Sequence, residues 1–490
     1  MSDPVLHESK QQALPAPAAE VPPRGGLFDR TLGSLRLAWR DVANSALEVV
    51  GTIRGVAGRS DEDRWRQQMT ACLEGRGGEV SARARAADLG RTFLGLEPDA
   101  RKRFLLLLAK EFDVDRAAVD RAVEVFQRAN DPVARGEAER ALRDALEPGR
   151  LRLLMQFNAL PEGVRFLVEL RAQLLDLTRE NPLYAALEAD LKSLLKSWFD
   201  VGFLELRRIT WDSPASLLEK LIRYEAVHDI AGWEDLKNRL DRDRRCFGFF
   251  HPRMPDEPLI FVEVALVRGL ADSVHPLLDA SQPVIDPKEA DTAIFYSISN
   301  AQRGLAGISF GNFLIKRVVD GLAGELPNLK NFATLSPIPG FAAWLRQELA
   351  RSGDGLLAPG EFELLHKHVP VRDPPILEAA LAVEGWREQP ELESALRPIL
   401  LRLGAVYLLT ARKGERAADA VAHFHLSNGA RVERLNWMAD HSRKGLKQSC
   451  GMMVNYAYRL ANIEGNHESY TGDGKVIASS AMKGLLKPSV

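Results

Sequence analysis

SISNAQRGLAGISFGNFLIKRVVD, residues 297–320, joins an apolar β-rich run to an amphipathic run through a turn holding Gly304, Gly307 and Gly311. The run that leads into it, TAIFYSISN (292–300), has the β-branched and aromatic character of a strand. GNFLIKRVVDGLAGEL (311–326) reads as a helix, and NFATLS (331–336) as the next strand. Strand, glycine turn, helix, strand is an α/β unit whose helix packs on a sheet. Glycines let backbone approach a ligand closely, and amides at a helix start favour a phosphate. Lys316 and Arg317 are candidates for added positive charge. The turn is neither a GxGxxG dinucleotide fingerprint nor a P-loop ending in GK[ST].

Working outward, PLIFVEVALV (258–267) adds a strand, and DSPASLLEKLIRYEAVHDIAGWEDLKNRL (212–240) adds helices. Asp212 or Ser213 is available there as an N-cap before Pro214. A further helical tract covers about 374–412. From about residue 28 to 200 the pattern reads as helical. Val119, Ala122, Val123 and Phe126 share one face, as do Ala138, Ala141, Leu142 and Ala145, widened by Leu146. ANDPVARGE, ALEPGR and ALPEG supply the breaks, and ENPLYAALEADLKSLLKSWF ends near Phe199. The expected fold class is α+β: a mobile arm over 1–27, a helical scaffold or oligomerisation bundle over 28–200, and a mixed α/β catalytic domain over 201–490.

Composition narrows the function classes. The 490 residues carry 65 basic and 67 acidic side chains, so the formal charge of −2 argues against a dedicated nucleic-acid binder. Cys72, Cys246 and Cys450 lie far apart, read as buried apolar residues, and suit a reducing compartment. No apolar run reaches the ~18 residues of a membrane span. The Pro/Ala-rich start lacks a signal-peptide pattern, and the ending GLLKPSV is no peroxisomal address. The reading is cytoplasmic, with no membrane partner.

Chemistry has two candidate centres. In NFATLSPIPGF (331–341) a strand ends at Ser336, and Pro337 and Pro339 stop it continuing as a central strand. The serine hydroxyl stands at a stiff corner and needs a partner. In AVAHFHLSNGARVERLNWMAD, His423 and His425 are two apart and on an extended segment would point the same way. SNG after Leu426 signals a turn. A histidine poised there suits proton transfer, although the residues alone leave a structural histidine, a metal pair or a Ser336 partner open.

The turn QRGLAGIS resembles the acyl-CoA-binding turn of the GNAT superfamily, although Arg303 stands one place too far upstream of Gly307-Ile308-Ser309 for the usual form. FYSISNAQRGLAGISFGNFLIKRVVD, FATLSPIPGF, HPRMPDEPLIFVEVAL and HFHLSNGARVERLNWMADHSRKGLKQSCGMMVNYAY together resemble the malonyl-CoA decarboxylase family over most of 200–480. That resemblance implies a GNAT-like catalytic domain after an N-terminal helical domain, and assembly into homo-oligomers, tetramers or dimers. It implies Ser336 as proton acceptor and His425 as proton donor. It makes Ala306, Gly307, Ile308, Ser309, Phe310, Gly311 and Asn312 the malonyl-CoA-binding turn, with Ser297 and Tyr458 as further candidates for the pocket wall. Ser309 departs from the acidic residue of the animal enzymes.

The implied reaction takes malonyl-CoA to acetyl-CoA and carbon dioxide. A thioester is already an electron sink, so no metal, pyridoxal phosphate, biotin or other cofactor is expected. The alternatives are a GNAT-type acyl-CoA N-acyltransferase, which would need an amine acceptor, and a non-catalytic CoA-sensing scaffold.

Overall fold

A computed structural model describes residues 35, 38–40, 42, 60–74, 78–199, 201–308, 314–369 and 375–488. The arm expected over 1–27 and the turn residues Ser309, Phe310, Gly311 and Asn312 lie outside the described residues. The chain divides into two compact units, Met1–Glu169 and Leu170–Val490.

The described residues of the first unit are helical. Helices Asp61–Leu73, Glu79–Gly95, Pro98–Glu111, Arg116–Arg128, Pro132–Ala145 and Gly149–Phe157 follow one another through short turns. Ser60, Asp115 and Asp131 cap three of them through their side chains, satisfying amides that a helix start leaves open. Trp39, Phe157 and Phe166 form an aromatic core, with ring centroids 5.0–5.9 Å apart. Gly90 belongs there by size: a Cβ would stand 2.1 Å from the Trp39 ring. The two amphipathic helices 116–128 and 132–145 pack on each other as a hairpin. Val119, Ala122, Val123 and Phe126 are only half-buried, and Leu146, expected to widen a covered face, is exposed.

The second unit is built on a mixed sheet. Its strands are β1 (Glu205–Ile209), β2 (Arg244–Phe250), β3 (Ile260–Val267), β4 (Thr292–Asn300), β5 (Asn331–Thr334), β6 (Ser336–Pro337), β9 (Arg431–Asn436) and β10 (Met453–Ala457), with β7 (Arg412–Lys413) and β8 (Arg416–Ala417) as a separate two-stranded ribbon. The order is β1-β2-β3-β4-β5-β10-β6, and β9 pairs with β10. Neighbours from β1 to β4 are antiparallel, whereas β4 and β5 are parallel. Parallel strands need a crossover, and helix Leu314–Glu325 provides it, as the glycine-turn pattern requires. The α+β expectation therefore holds, helices first and mixed sheet after.

Two irregularities shape the sheet's centre. Tyr296 is an extra residue in β4, because Glu263 pairs with Ser297 and Val264 with Phe295. Pairing of β4 with β5 covers only Thr292–Phe295, so β4 continues to Asn300 while the chain after Thr334 turns aside. Ser336 and Pro337 then pair with Val454 and Met453 of β10. The proline corner thus does not end the sheet contact; it shifts the strand across Leu335. Asn455 of β10 fills the gap, donating to the Thr334 carbonyl at 2.7 Å. One face of the sheet packs Ala265, Ile294, Tyr296, Ala333, Leu335 and Met453 into a buried cluster.

Three expectations need correction. Helix Ala215–Tyr224 is not capped by Asp212 or Ser213; Pro214 holds that position, and the Ser213 hydroxyl accepts from the Thr210 amide instead. Cys72 and Cys246 are buried, but Cys450, which ends a helix in the left-handed region, is half-buried. His423 and His425 lie on helix Ala420–Ser427 rather than an extended segment, so the helical period sends their side chains different ways.

Candidate active site

Ser336 and His425 meet. The serine Oγ lies 3.1 Å from His425 Nε2 and donates to Thr334 Oγ1 at 2.8 Å. On the other side of the ring, Nδ1 lies 2.8 Å from the Tyr458 hydroxyl. The imidazole stacks on Tyr456, with centroids 4.6 Å apart. Ser336, His425, Thr334, Tyr456 and Tyr458 are all buried. Burial pushes the His425 pKa down to about 3 and the Tyr458 phenol well above its ordinary value. The ring is neutral at physiological pH and the phenol keeps its proton.

These protonation states fit one direction of hydrogen bonding. Tyr458 donates to Nδ1, Nε2–H donates to Ser336, and Ser336 donates to Thr334. Thr334 Oγ1 also accepts the Tyr456 amide at 3.1 Å, which anchors the acceptor end to β10.

Asp419 ties the two elements together. Its Oδ1 accepts the Val421 and Ala422 amides, capping the helix that carries His425. Its Oδ2 accepts the Gly340 amide at 3.1 Å, at the end of the SPIPG corner that carries Ser336. Burial raises the Asp419 pKa, opposed by those three amides. Gly340 has no room for a side chain, since a Cβ would stand 2.1 Å from the Tyr407 hydroxyl.

The other sequence candidates divide. Tyr458 joins the pair directly. Ser297 does not: its hydroxyl donates to the buried Glu225 carboxylate at 2.7 Å, with Ser299 donating to the same group. His423 bonds Tyr470 at 2.8 Å. Ala306, Gly307 and Ile308 follow the short helix Arg303–Leu305, and Gly307 takes φ +71°, which suits glycine. Lys316 pairs with Glu464 at 2.6 Å, and Arg317 donates to the Leu204 carbonyl at 3.0 Å. Among the described residues, no group of His, Cys, Asp and Glu is arranged to hold a metal ion, and no helix is long and apolar enough to cross a membrane.

Sequence reasoning missed Thr334, Tyr456 and Asp419. Thr334 was within reach, because residues two apart on a strand share a face. Asp419 stands where a helix N-cap belongs, immediately before AVAHFHLS. Tyr456 gave no signal apart from its place in an apolar strand.

A helical unit followed by a mixed sheet with a bulged fourth strand makes an α+β protein, with a buried hydroxyl–imidazole pair as its candidate active site beside the place where β4 and β5 part. Residues 202–490 match the family described as malonyl-CoA decarboxylase C-terminal domain, and residues 112–199 its N-terminal domain. Mitochondrial malonyl-CoA decarboxylase of Anser anser anser is 38% identical over 416 residues, covering 81% of this chain and 82% of its own. That of Mus musculus is 38% identical over 424 residues, covering 83% and 86%. The crystal structure of malonyl-CoA decarboxylase from Rhodopseudomonas palustris superposes with a TM-score of 0.80 at 43% identity, covering 87% of this chain and 100% of that one. The Agrobacterium vitis structure gives 0.76 at 42%, covering 86% and 100%. The chain belongs to the malonyl-CoA decarboxylase family, a family of carboxy-lyases.

Proposed function

We propose that the protein converts malonyl-CoA to acetyl-CoA and carbon dioxide, using Ser336 and His425 to manage the carboxylate and the proton. The bond from C2 to the carboxylate breaks, its electron pair moves into the thioester, and the resulting enolate takes one proton at C2. The carboxylate enters charged and carbon dioxide leaves neutral, so each turnover consumes one proton from solvent. The single observation that carries the reading is the 3.1 Å contact between Ser336 Oγ and His425 Nε2, backed by Tyr458.

The neutral ring is central to this reading. An imidazole that stays uncharged holds one proton on Nε2, and Ser336 is its acceptor. Ser336 turns its hydroxyl from Thr334 to C2 and gives up that proton as Nε2–H refills it, while Nδ1 takes in exchange, at the Tyr458 hydroxyl, the solvent proton that the turnover consumes, so the ring stays neutral. Orientation matters as much: the breaking bond must stand perpendicular to the thioester plane, which a fixed corner at one end and a fixed nucleotide handle at the other enforce. Our reading assigns the handle to the turn from Ala306 through Asn312.

The same proposal extends to the rest of the chain: a helical scaffold over 28–200, a homo-oligomer of two or four copies, and a cytoplasmic location, although the vertebrate relatives are described as mitochondrial. Mass spectrometry of malonyl-CoA incubated with metal-free, amine-free protein in deuterium oxide tests the activity. Acetyl-CoA carrying one solvent deuterium is expected. Unchanged malonyl-CoA would overturn the reading, and turnover only on adding an amine would favour acyl transfer.

A further inference from the structure

Helices that precede the sheet reach the glycine turn. Arg171, on helix Gly163–Glu180, is only 1% exposed. One of its terminal nitrogens donates to the Gly304 carbonyl at 2.6 Å, and the other to the Ala306 carbonyl at 2.9 Å. Its Nε donates to Glu188, on helix Ala185–Trp198, at 2.9 Å. A buried guanidinium is tolerated only where its charge and its donors are met, and here Glu188 meets the charge while the turn's carbonyls meet the donors. Arg303 in the turn pairs with Asp176 of the first helix.

The result is a turn with its carbonyls drawn to one side. The Leu305, Ala306 and Ile308 amides are used within the turn. Gly307 is exposed, and its amide takes no acceptor among the described residues. Beside it lies Lys192, one helical turn beyond Glu188 and half-buried. A Cβ on Gly307 would stand 3.5 Å from the Lys192 ammonium nitrogen. An amide with no acceptor among the described residues, at a left-handed glycine next to an ammonium, is an arrangement that receives a phosphate oxygen.

We propose that Lys192 is a phosphate-binding residue of the acyl-CoA site, and that Arg171 with Glu188 is the positioning pair that shapes the turn for it. The proposal rests on the reading that this turn holds the nucleotide handle. It gives the helices around residues 171–192 a part in substrate binding that a scaffold role does not include.

The test compares malonyl-CoA with malonyl-pantetheine, which lacks the nucleotide phosphates. Lys192→Gln alters a half-buried side chain, so the variant folds. Its KM for malonyl-CoA is expected to rise about 10-fold, the scale of one charged hydrogen bond, with kcat within a factor of two. With malonyl-pantetheine its KM should match that of the unaltered protein. Arg171→Lys, which keeps the charge but cannot span two carbonyls and Glu188, should show the same split. An unchanged KM for malonyl-CoA in Lys192→Gln, with the unaltered protein active, overturns this inference and leaves the decarboxylase reading standing. An equal rise for both substrates also overturns it, as a general disturbance. An unaltered protein that turns over neither substrate removes the decarboxylase reading itself.

Discussion

His425 is held between two hydroxyls, and each can be removed without changing the ring. Tyr458→Phe deletes the donor to Nδ1 and keeps the aromatic volume. The loss of one such hydrogen bond, about 1 kcal/mol, should lower kcat about 5-fold, measured by carbon dioxide release at saturating substrate. Thr334→Val removes the acceptor for Ser336 and orphans the Tyr456 amide, whereas Thr334→Ser restores both. Rescue by serine but not valine, read as kcat with folding checked by thermal melting, would separate positioning from packing. Because burial keeps His425 neutral down to about pH 3, kcat should show no step near pH 6.5. A step there, lost in His425→Asn, would mean that the charged imidazole takes part.

At the scale of elements, the Ser336 corner and the His425 helix share one fastener. Asp419→Ala removes a helix cap and the acceptor for the Gly340 amide together. A stability loss of about 1 kcal/mol is expected from the cap, measured by denaturant unfolding, with a kcat loss beyond what stability explains. Gly340→Ala drives a methyl into the Tyr407 hydroxyl and should cost about 1–3 kcal/mol. Strands β3, β4 and β5 and the crossover helix were legible because alternation and helical period differ so plainly in residues 258–336. The His425 segment was misread as extended. HFHLSNG is short, apolar and glycine-ended, and its one helix signal, the Asp419 N-cap, was passed over.

For the whole molecule, the buried His425 and the half-buried His228 weaken the fold in acid. Burial pushes His425 to about 3 and His228 to about 4, both below the ordinary imidazole value. The unfolded chain therefore binds protons that the folded chain refuses. The contribution of each of these histidines should be full above about pH 6.5 and fall as pH drops toward its folded value, by about 1.4 kcal/mol per unit, whereas Glu263, pushed up to about 8 by burial, contributes in the opposite sense. Denaturant midpoints at pH 7.5 and 5.5 check this, and His425→Asn should show the shallower slope. At this scale the sequence showed helices first and sheet second. The link from Arg171 to the carbonyls of Gly304 and Ala306 was invisible, because it joins residues 133 and 135 positions apart and no periodic pattern marks it.

Decarboxylation by the proposed route depends on a hydroxyl and an uncharged imidazole sharing a proton where the malonyl carboxylate is lost. Steady-state decarboxylation of malonyl-CoA by purified, folded Ser336→Ala and His425→Asn proteins tests it most directly. Both should turn over at least ~100-fold more slowly than the unaltered chain. Near-normal kcat in both would contradict it.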